Sequence, residues 1–237
     1  MTGTLLLLPS ALGETGWSTY LPAASHEAAS RLRYFVAENA KTARAELKRL
    51  GHPTPLRELS IEQLPERLTA ADTDRLLAPL LEGNDVGLLS EAGCPGVADP
   101  GASLVRRAHT LNIPVKPLVG PSSLLLALMA SGLDGQRFAF HGYLPVREPE
   151  RSARIVELEK ESRRAAQTQL FIEAPYRNQA LYQALLAACR GSTLLSLGSD
   201  LTLATEFVAT HRIADWRQRP PPELDRRPTV FLLLSEG

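Results

Sequence analysis

Only two cysteines, Cys94 and Cys189, occur in 237 residues. Two thiols without metal-ligand spacing, in a chain with no secretion signal, exclude a disulfide framework and point to a reducing cytoplasm. No His and Cys spacing matches a metal-ligand set either. An excess of charge of one sign is missing as well, since 26 Lys and Arg balance 26 Asp and Glu. A protein that grips a long duplex by charge alone carries a basic excess, so any basic surface here must be local. The apolar run Leu5–Leu8 is far too short to cross a bilayer and has no basic lead-in, so it reads as neither signal peptide nor anchor. There is no internal repeat, no low-complexity tract and no GxGxxG, which removes the dinucleotide fingerprint. What remains, 44% hydrophobic and 22% charged residues, is the composition of a globular chain long enough for two small α/β domains.

Against that background one stretch stands out, Val86–Gly101, reading VGLLSEAGCPGVADPG. Val86 to Leu89 has the unbroken apolar character of a strand buried on both faces of a parallel sheet. The run then breaks at Ser90-Glu91-Ala92-Gly93, and Gly93, Gly96 and Gly101 with Pro95 and Pro100 make a long turn before a helix over 102–111. A strand, a Gly/Pro turn and a helix are the local geometry of a ligand loop at the carboxyl end of an α/β sheet, and equally of an ordinary strand–loop–helix connection. Small side chains there let backbone N–H and C=O groups approach a bound molecule. Asp99, before Pro100 and Gly101, is placed to cap the following helix.

The remainder divides into two styles. The first half alternates strands (4–8, 33–36, around 59–64, 86–89) with helices (26–33, 40–50, 69–82, 102–111), as a parallel α/β domain does. A strand over 113–118 carries Pro114 and Pro117, which suits a sheet edge. Ser122 and Ser123 precede a helix over 124–131 that is apolar nearly all round, so it is expected to be buried. The second half has strands at 138–144, 170–173, 193–197, 206–213 and 229–234 with few helices between them, implying hairpins and a mixed sheet. The charged segment 147–164, with six basic and five acidic residues, reads as a surface helix. The Pro-bounded stretch 114–121 marks the boundary between domains 1–117 and 118–237.

Ser90–Gly101, Pro117–Gly132, Phe138–Pro145 and Phe171–Arg177 together resemble the tetrapyrrole methylase superfamily. Its members are S-adenosylmethionine methyltransferases built from a parallel α/β domain and a mixed-sheet α/β domain, with the cofactor cleft between them. Within it the chain looks most like the branch that methylates a ribose 2′-hydroxyl in small-subunit ribosomal RNA. The resemblance implies S-adenosyl-L-methionine as cofactor and a homodimer. It also implies a role for the turn Pro9–Gly13, with Leu12, facing substrate and cofactor. Gly93, Cys94 and Val97 would line the methionine part of the donor, and Ser122 and Ser123 would stand beside it. Ile172 and Glu173 would lie near the adenine, with Ala204 contributed by the second domain. The chain departs from that branch at Glu14-Thr15-Gly16-Trp17, at Asn39 and His141 where acidic residues are usual, and by ending after the second sheet.

A ribose hydroxyl must lose its proton as it is methylated, which favours a nearby carboxylate or histidine. Glu91 on the ligand loop and Glu38 in the Ala37–Lys41 turn are the candidate catalytic residues. Glu91 bridging the loop backbone, and Glu38 with Lys41 at a solvated helix start, are the structural alternatives. Arg177 suits a phosphate or an internal salt bridge equally well. Three functions follow: methylation of ribosomal RNA, methylation of a tetrapyrrole or other small acceptor, and cofactor binding without turnover.

Overall fold

The protein is described by a computed structural model covering residues 2–65 and 67–236. Its backbone contacts divide into two compact units, Met1–Ser122 and Ser123–Gly237. The dividing point falls just beyond the proline-bounded stretch.

The first unit is a five-stranded, all-parallel sheet. Its strands are β1 (Leu5–Leu8), β2 (Tyr34–Ala37), β3 (Ser60–Gln63), β4 (Val86–Leu89) and β5 (Val115–Pro117), in the order β3-β2-β4-β1-β5. The helices are α1 (Ala23–Ser30), α2 (Ala40–Arg49), α3 (Ala70–Leu81) and α4 (Ala102–Thr110). β4 is buried at every position and β1 at three of four, because helices cover both faces. One face packs Leu6, Leu8, Phe35 and Leu89 against Ala43 and Leu47 of α2. The other packs Leu5, Val36, Val86 and Leu88 against Leu76, Leu77 and Leu80 of α3 and Leu104 of α4. β5, with its prolines, lies at the sheet edge as expected. The connection from β1 leads to β2 on one side, whereas that from β4 leads to β5 on the other. The carboxyl ends of β1 and β4 are therefore a topological switch point, the place where open α/β sheets bind ligands.

The second unit has a mixed sheet of β6 (Phe138–Tyr143), β7 (Thr168–Ile172), β10 (Thr229–Leu234), β8 (Leu194–Ser199) and β9 (Phe207–Arg212), in that order. β6 and β7 are parallel and the other pairings antiparallel. Alternation sorts the side chains onto two faces. Leu195, Leu197, Phe231 and Leu233 join Ile155 and Leu158 of α6 (Glu150–Ala165) and Leu181, Tyr182 and Leu185 of α7 (Asn178–Ala188). A short helix, α8 (Ile213–Trp216), closes this core. The opposite face carries α5 (Ser123–Ser131).

Two sequence expectations are corrected here. The apolar helix α5 is not buried all round: it seats Ala127, Leu128 and Ser131 but leaves Leu125 52% and Met129 80% exposed. A helix on one sheet buries only one stripe, whatever its composition. Asp99 does not cap α4; the cap is Gly101, at φ +124°, with no side-chain hydrogen bond.

Candidate functional site

The loops that leave β1 and β4 are pinned together at the switch point. Ser10 N–H donates to the Gly93 carbonyl (2.9 Å), and Gly93 N–H returns the bond to Ser10 (3.1 Å). The Ser10 hydroxyl also donates to the carbonyl of Ser90 (2.9 Å). Leu12 lies over Gly93, where an added Cβ would stand 3.4 Å from its Cδ2. Gly93 and Gly96 sit at φ +71° and +77°, a conformation open to glycine at no steric cost. Ala98 holds a positive φ of 65° without that freedom. The Cys94 thiol donates to the Pro121 carbonyl (3.3 Å), drawing the segment that ends in Ser122 onto the same loop. Burial and the nearby Asp99 charge push that thiol upward in pKa, so it is a lining group rather than a nucleophile.

Three carboxyls gather beside this bend. Glu38 follows β2, which pairs with β4 so that Ala37 stands opposite Leu89. Its pKa is raised, first by burial and then by the charge of Glu91; the Glu91 backbone N–H acts in the opposite sense. One carboxylate oxygen, Glu38 Oε2, is shut off from solvent and finds no partner among the described residues. Asp99 is pushed up to about 6 by burial, then by Glu38, with a smaller contribution from Glu91, while the Ser90 hydroxyl pulls it down. Like charges held in a half-buried site keep protons that isolated carboxylates would lose. Nothing in the spacing of Asp99 signalled this, since Asp before Pro-Gly is the ordinary pattern of a helix start. Among the described residues no group of three or more His, Cys, Asp or Glu is arranged to hold a metal ion.

The loop after β1 is also anchored from behind, by a network with no sequence signature. Glu46, on the inner face of α2, is 5% exposed. Its Oε1 accepts from the Tyr20 hydroxyl and from Ala11 N–H (3.2 Å). Its Oε2 pairs with Arg49, which reaches Glu14 at 2.9 Å. Burial and Glu46 together raise the pKa of Tyr20, keeping it a donor.

In the second unit, Ile172 ends β7, and the register carries Ile172 through Val230 to Gly198. Ser199 stands opposite Phe207, so the 200–206 turn with Ala204 emerges at the same end of the sheet as Ile172 and Glu173. A Cβ on Gly198 would lie 3.1 Å from that of Ala127, and Thr210, opposite Ser196, donates to the Ser131 carbonyl (2.8 Å). α5 therefore points its first residue, Ser123, toward that end as well. Three segments distant in sequence, carrying Ser123, Ile172 with Glu173, and Ala204, converge there. The Glu173 side chain is turned inward: its Oε1 accepts from Ala174 N–H (2.7 Å) and from Arg177 (2.6 Å). Arg177 thus serves an internal ion pair. His141 is occupied on both nitrogens. Arg154 can only donate, so Nδ1 is the acceptor (3.2 Å) and Nε2–H donates to Gln169 Oε1 (2.6 Å).

A switch-point loop lined by backbone and bordered by carboxyls, on a parallel sheet followed in the chain by a mixed-sheet unit, defines a class of two-unit α/β ligand-binding proteins. Residues 21–216 match the family described as Tetrapyrrole (Corrin/Porphyrin) Methylases, and the chain belongs to that family. Over 235 residues, 99% of the chain and 82% of the relative, it is 30% identical to "Ribosomal RNA small subunit methyltransferase I" of Xylella fastidiosa. Proteins of the same name from Vibrio cholerae (34% over 68% of the chain) and Escherichia coli O157:H7 (32% over 69%) also match; the aligned stretches are 55% and 56% of their lengths. The crystal structure of the methyltransferase CobJ superposes with a TM-score of 0.63 at 16% identity, covering 99% of this chain and 95% of that one. That likeness speaks to the fold.

Proposed function

We propose that this protein is an S-adenosylmethionine-dependent methyltransferase that modifies a ribose 2′-hydroxyl of small-subunit ribosomal RNA. The observation that carries the reading is the match, over 99% of this chain and 82% of the relative, to a ribosomal RNA small subunit methyltransferase I, together with the carboxyl group cluster at the switch point. The residues suit the donor. The bend from Ser90 to Gly101 offers backbone rather than side chains, and Glu38 Oε2 is a shielded acceptor without a protein donor among the described residues. In this reading Leu12, Gly93, Cys94, Val97 and Ser122 of the first unit hold the donor. Ser123, Ile172, Glu173 and Ala204 are the residues of the second unit assigned to donor binding, with Glu173 acting through its backbone and its grip on Arg177.

When bound, the donor supplies a methyl group on a sulfonium that already contains its leaving group, so alignment of the acceptor dominates catalysis. The chain supplies the proton acceptor. Glu38 and Glu91 are assigned to hold the ribose hydroxyl and take its proton, and the raised pKa of Glu38 matches it better to that task near neutral pH. Among the described residues no helix is long and apolar enough to cross a membrane. The reading places the enzyme in the cytoplasm, as a homodimer. The test is calorimetric titration with the demethylated donor product, followed by methyl transfer into small-subunit ribosomal RNA that lacks the mark. Incorporation at a ribose oxygen supports the reading. Incorporation only into a tetrapyrrole or another small acceptor overturns the RNA assignment, and absence of product binding overturns the enzyme.

A further inference from the structure

A chain with no net charge must confine any RNA-binding surface to one place, and α2 carries a candidate for it. Its buried side is Ala43, Glu46 and Leu47. Its solvent side presents Lys41, Arg44 and Lys48, all exposed, with the small Ala45 at one margin. Positions i, i+3 and i+7 fall within an arc of about 60° and extend for about 10 Å along the helix. Several other exposed arginines of this unit are paired with carboxylates, Arg31 with Glu27, Arg57 with Glu58 and Arg75 with Glu62, whereas the exposed Arg33 and Arg106 stand singly rather than in a row. Lys41, Arg44 and Lys48 have no carboxylate within 4.0 Å among the described residues. Arg44 reaches only the Ala40 carbonyl of its own helix, at 3.2 Å.

Lys41 is also at the wrong end. It is the second residue of α2, where the helix dipole disfavours a cation, and the first turn holds no acidic residue to offset it. A local rule broken without a compensating contact marks positions kept for something outside the fold. The stripe begins three residues after Glu38, at the sheet end where the carboxyls gather. The helix under it is firmly mounted, through Glu46, Tyr20 and Ala11.

We propose that Lys41, Arg44 and Lys48 of α2 form the track on which the phosphodiester backbone of the substrate RNA lies, leading its ribose toward Glu38. The chemistry favours a nucleic-acid strand over a membrane or a protein. The cations are spaced about one turn apart, and the exposed face beside them has no apolar side chain larger than the Ala45 methyl to enter a bilayer or fill a pocket. Contacts of this kind position a strand without reading its bases. The proposal rests on the RNA reading given above.

The experiment compares wild type with K41E/R44E/K48E and K41Q/R44Q/K48Q, titrating deproteinised small-subunit ribosomal RNA lacking the mark over a range of salt. Each lost phosphate contact removes about 0.7 from the slope of log affinity against log salt for a single strand. The glutamine variant is expected to lose about two units of slope and to bind at least tenfold more weakly near 0.15 M salt. The glutamate variant loses more. K160E/R164E on α6 keeps the wild-type slope. All variants retain binding of the demethylated donor product and the wild-type melting temperature, which separates the effect from misfolding. Wild-type slope and affinity in both triple variants overturn the track while leaving RNA methylation standing. Loss confined to the assembled ribosomal subunit, with naked RNA bound normally, overturns it in favour of a protein contact. A wild-type enzyme that neither binds nor methylates RNA overturns the track and the RNA reading together.

Discussion

Asp99 keeps its proton to about pH 6, held first by its burial and then by the charge of Glu38. The two residues come from different strand ends of one parallel sheet, and their repulsion is the electrostatic feature of the site. It has a consequence for stability. A carboxyl that releases its proton at about 6 in the folded chain, against an ordinary 3.8, is protonated in the folded state while ionised in the unfolded one. Between these values the unfolded chain binds fewer protons, so the contribution of Asp99 to stability falls as pH rises from about 4 to about 6. Asp99→Asn removes that ionisation. The variant is expected to match wild type in urea midpoint near pH 4 and to exceed it at pH 7.5. Equal midpoints at both pH values would show that burial and Glu38 do not raise the Asp99 pKa in this way.

Glu46 joins α2 to the loop after β1, and its removal leaves Tyr20 and Ala11 without their buried acceptor. Glu46→Ala is expected to lose about 2–4 kcal/mol of stability, the range for breaking a buried charge-assisted network. Glu46→Gln keeps an acceptor for both donors and loses less. Limited proteolysis reports the same change locally, with cleavage within 9–16 faster in the alanine variant than in the glutamine variant.

Gly101 and Gly96 both have positive φ but differ in what surrounds them. A Cβ at Gly101 would lie 2.9 Å from Leu88 Cδ2, a fully buried side chain, whereas at Gly96 the nearest atom is the Ala102 nitrogen at 3.9 Å. Gly101→Ala therefore combines backbone strain with a clash in the core and is expected to cost about 2–3 kcal/mol. Gly96→Ala is expected to cost about 1 kcal/mol, the backbone term alone. Chemical denaturation of the two variants decides the order; a larger loss at Gly96 would contradict the packing described.

Leu125 and Met129, one turn apart on α5, are 52% and 80% exposed, an apolar surface that suits the proposed homodimer. If the proposed homodimer uses this face, Leu125→Glu with Met129→Glu shifts sedimentation toward monomer while changing monomer stability by no more than about 0.5 kcal/mol. An unchanged sedimentation profile would place the dimer contact elsewhere.

Much of this protein was decided locally, and local decisions are visible in a sequence. The unbroken apolar runs of β1 and β4, the edge-seeking prolines of β5 and the glycines of the Ser90–Gly101 bend each act through backbone sterics or the need to bury both faces of a strand. Those constraints read directly from neighbouring residues. What pairs with what did not. Asp99 looked like a helix cap until the fold set it near Glu38, some sixty positions earlier. Glu46 looked like one more helical glutamate until Tyr20, Ala11 and Arg49 closed on it. The uniform apolarity of α5 said nothing about which side would meet the sheet. Long-range electrostatics and side-chain partnership depend on distances that chain separation does not encode, so the entry of Asp99 into the carboxyl cluster, the Glu46 anchor and the seating of α5 belong to the tertiary structure alone.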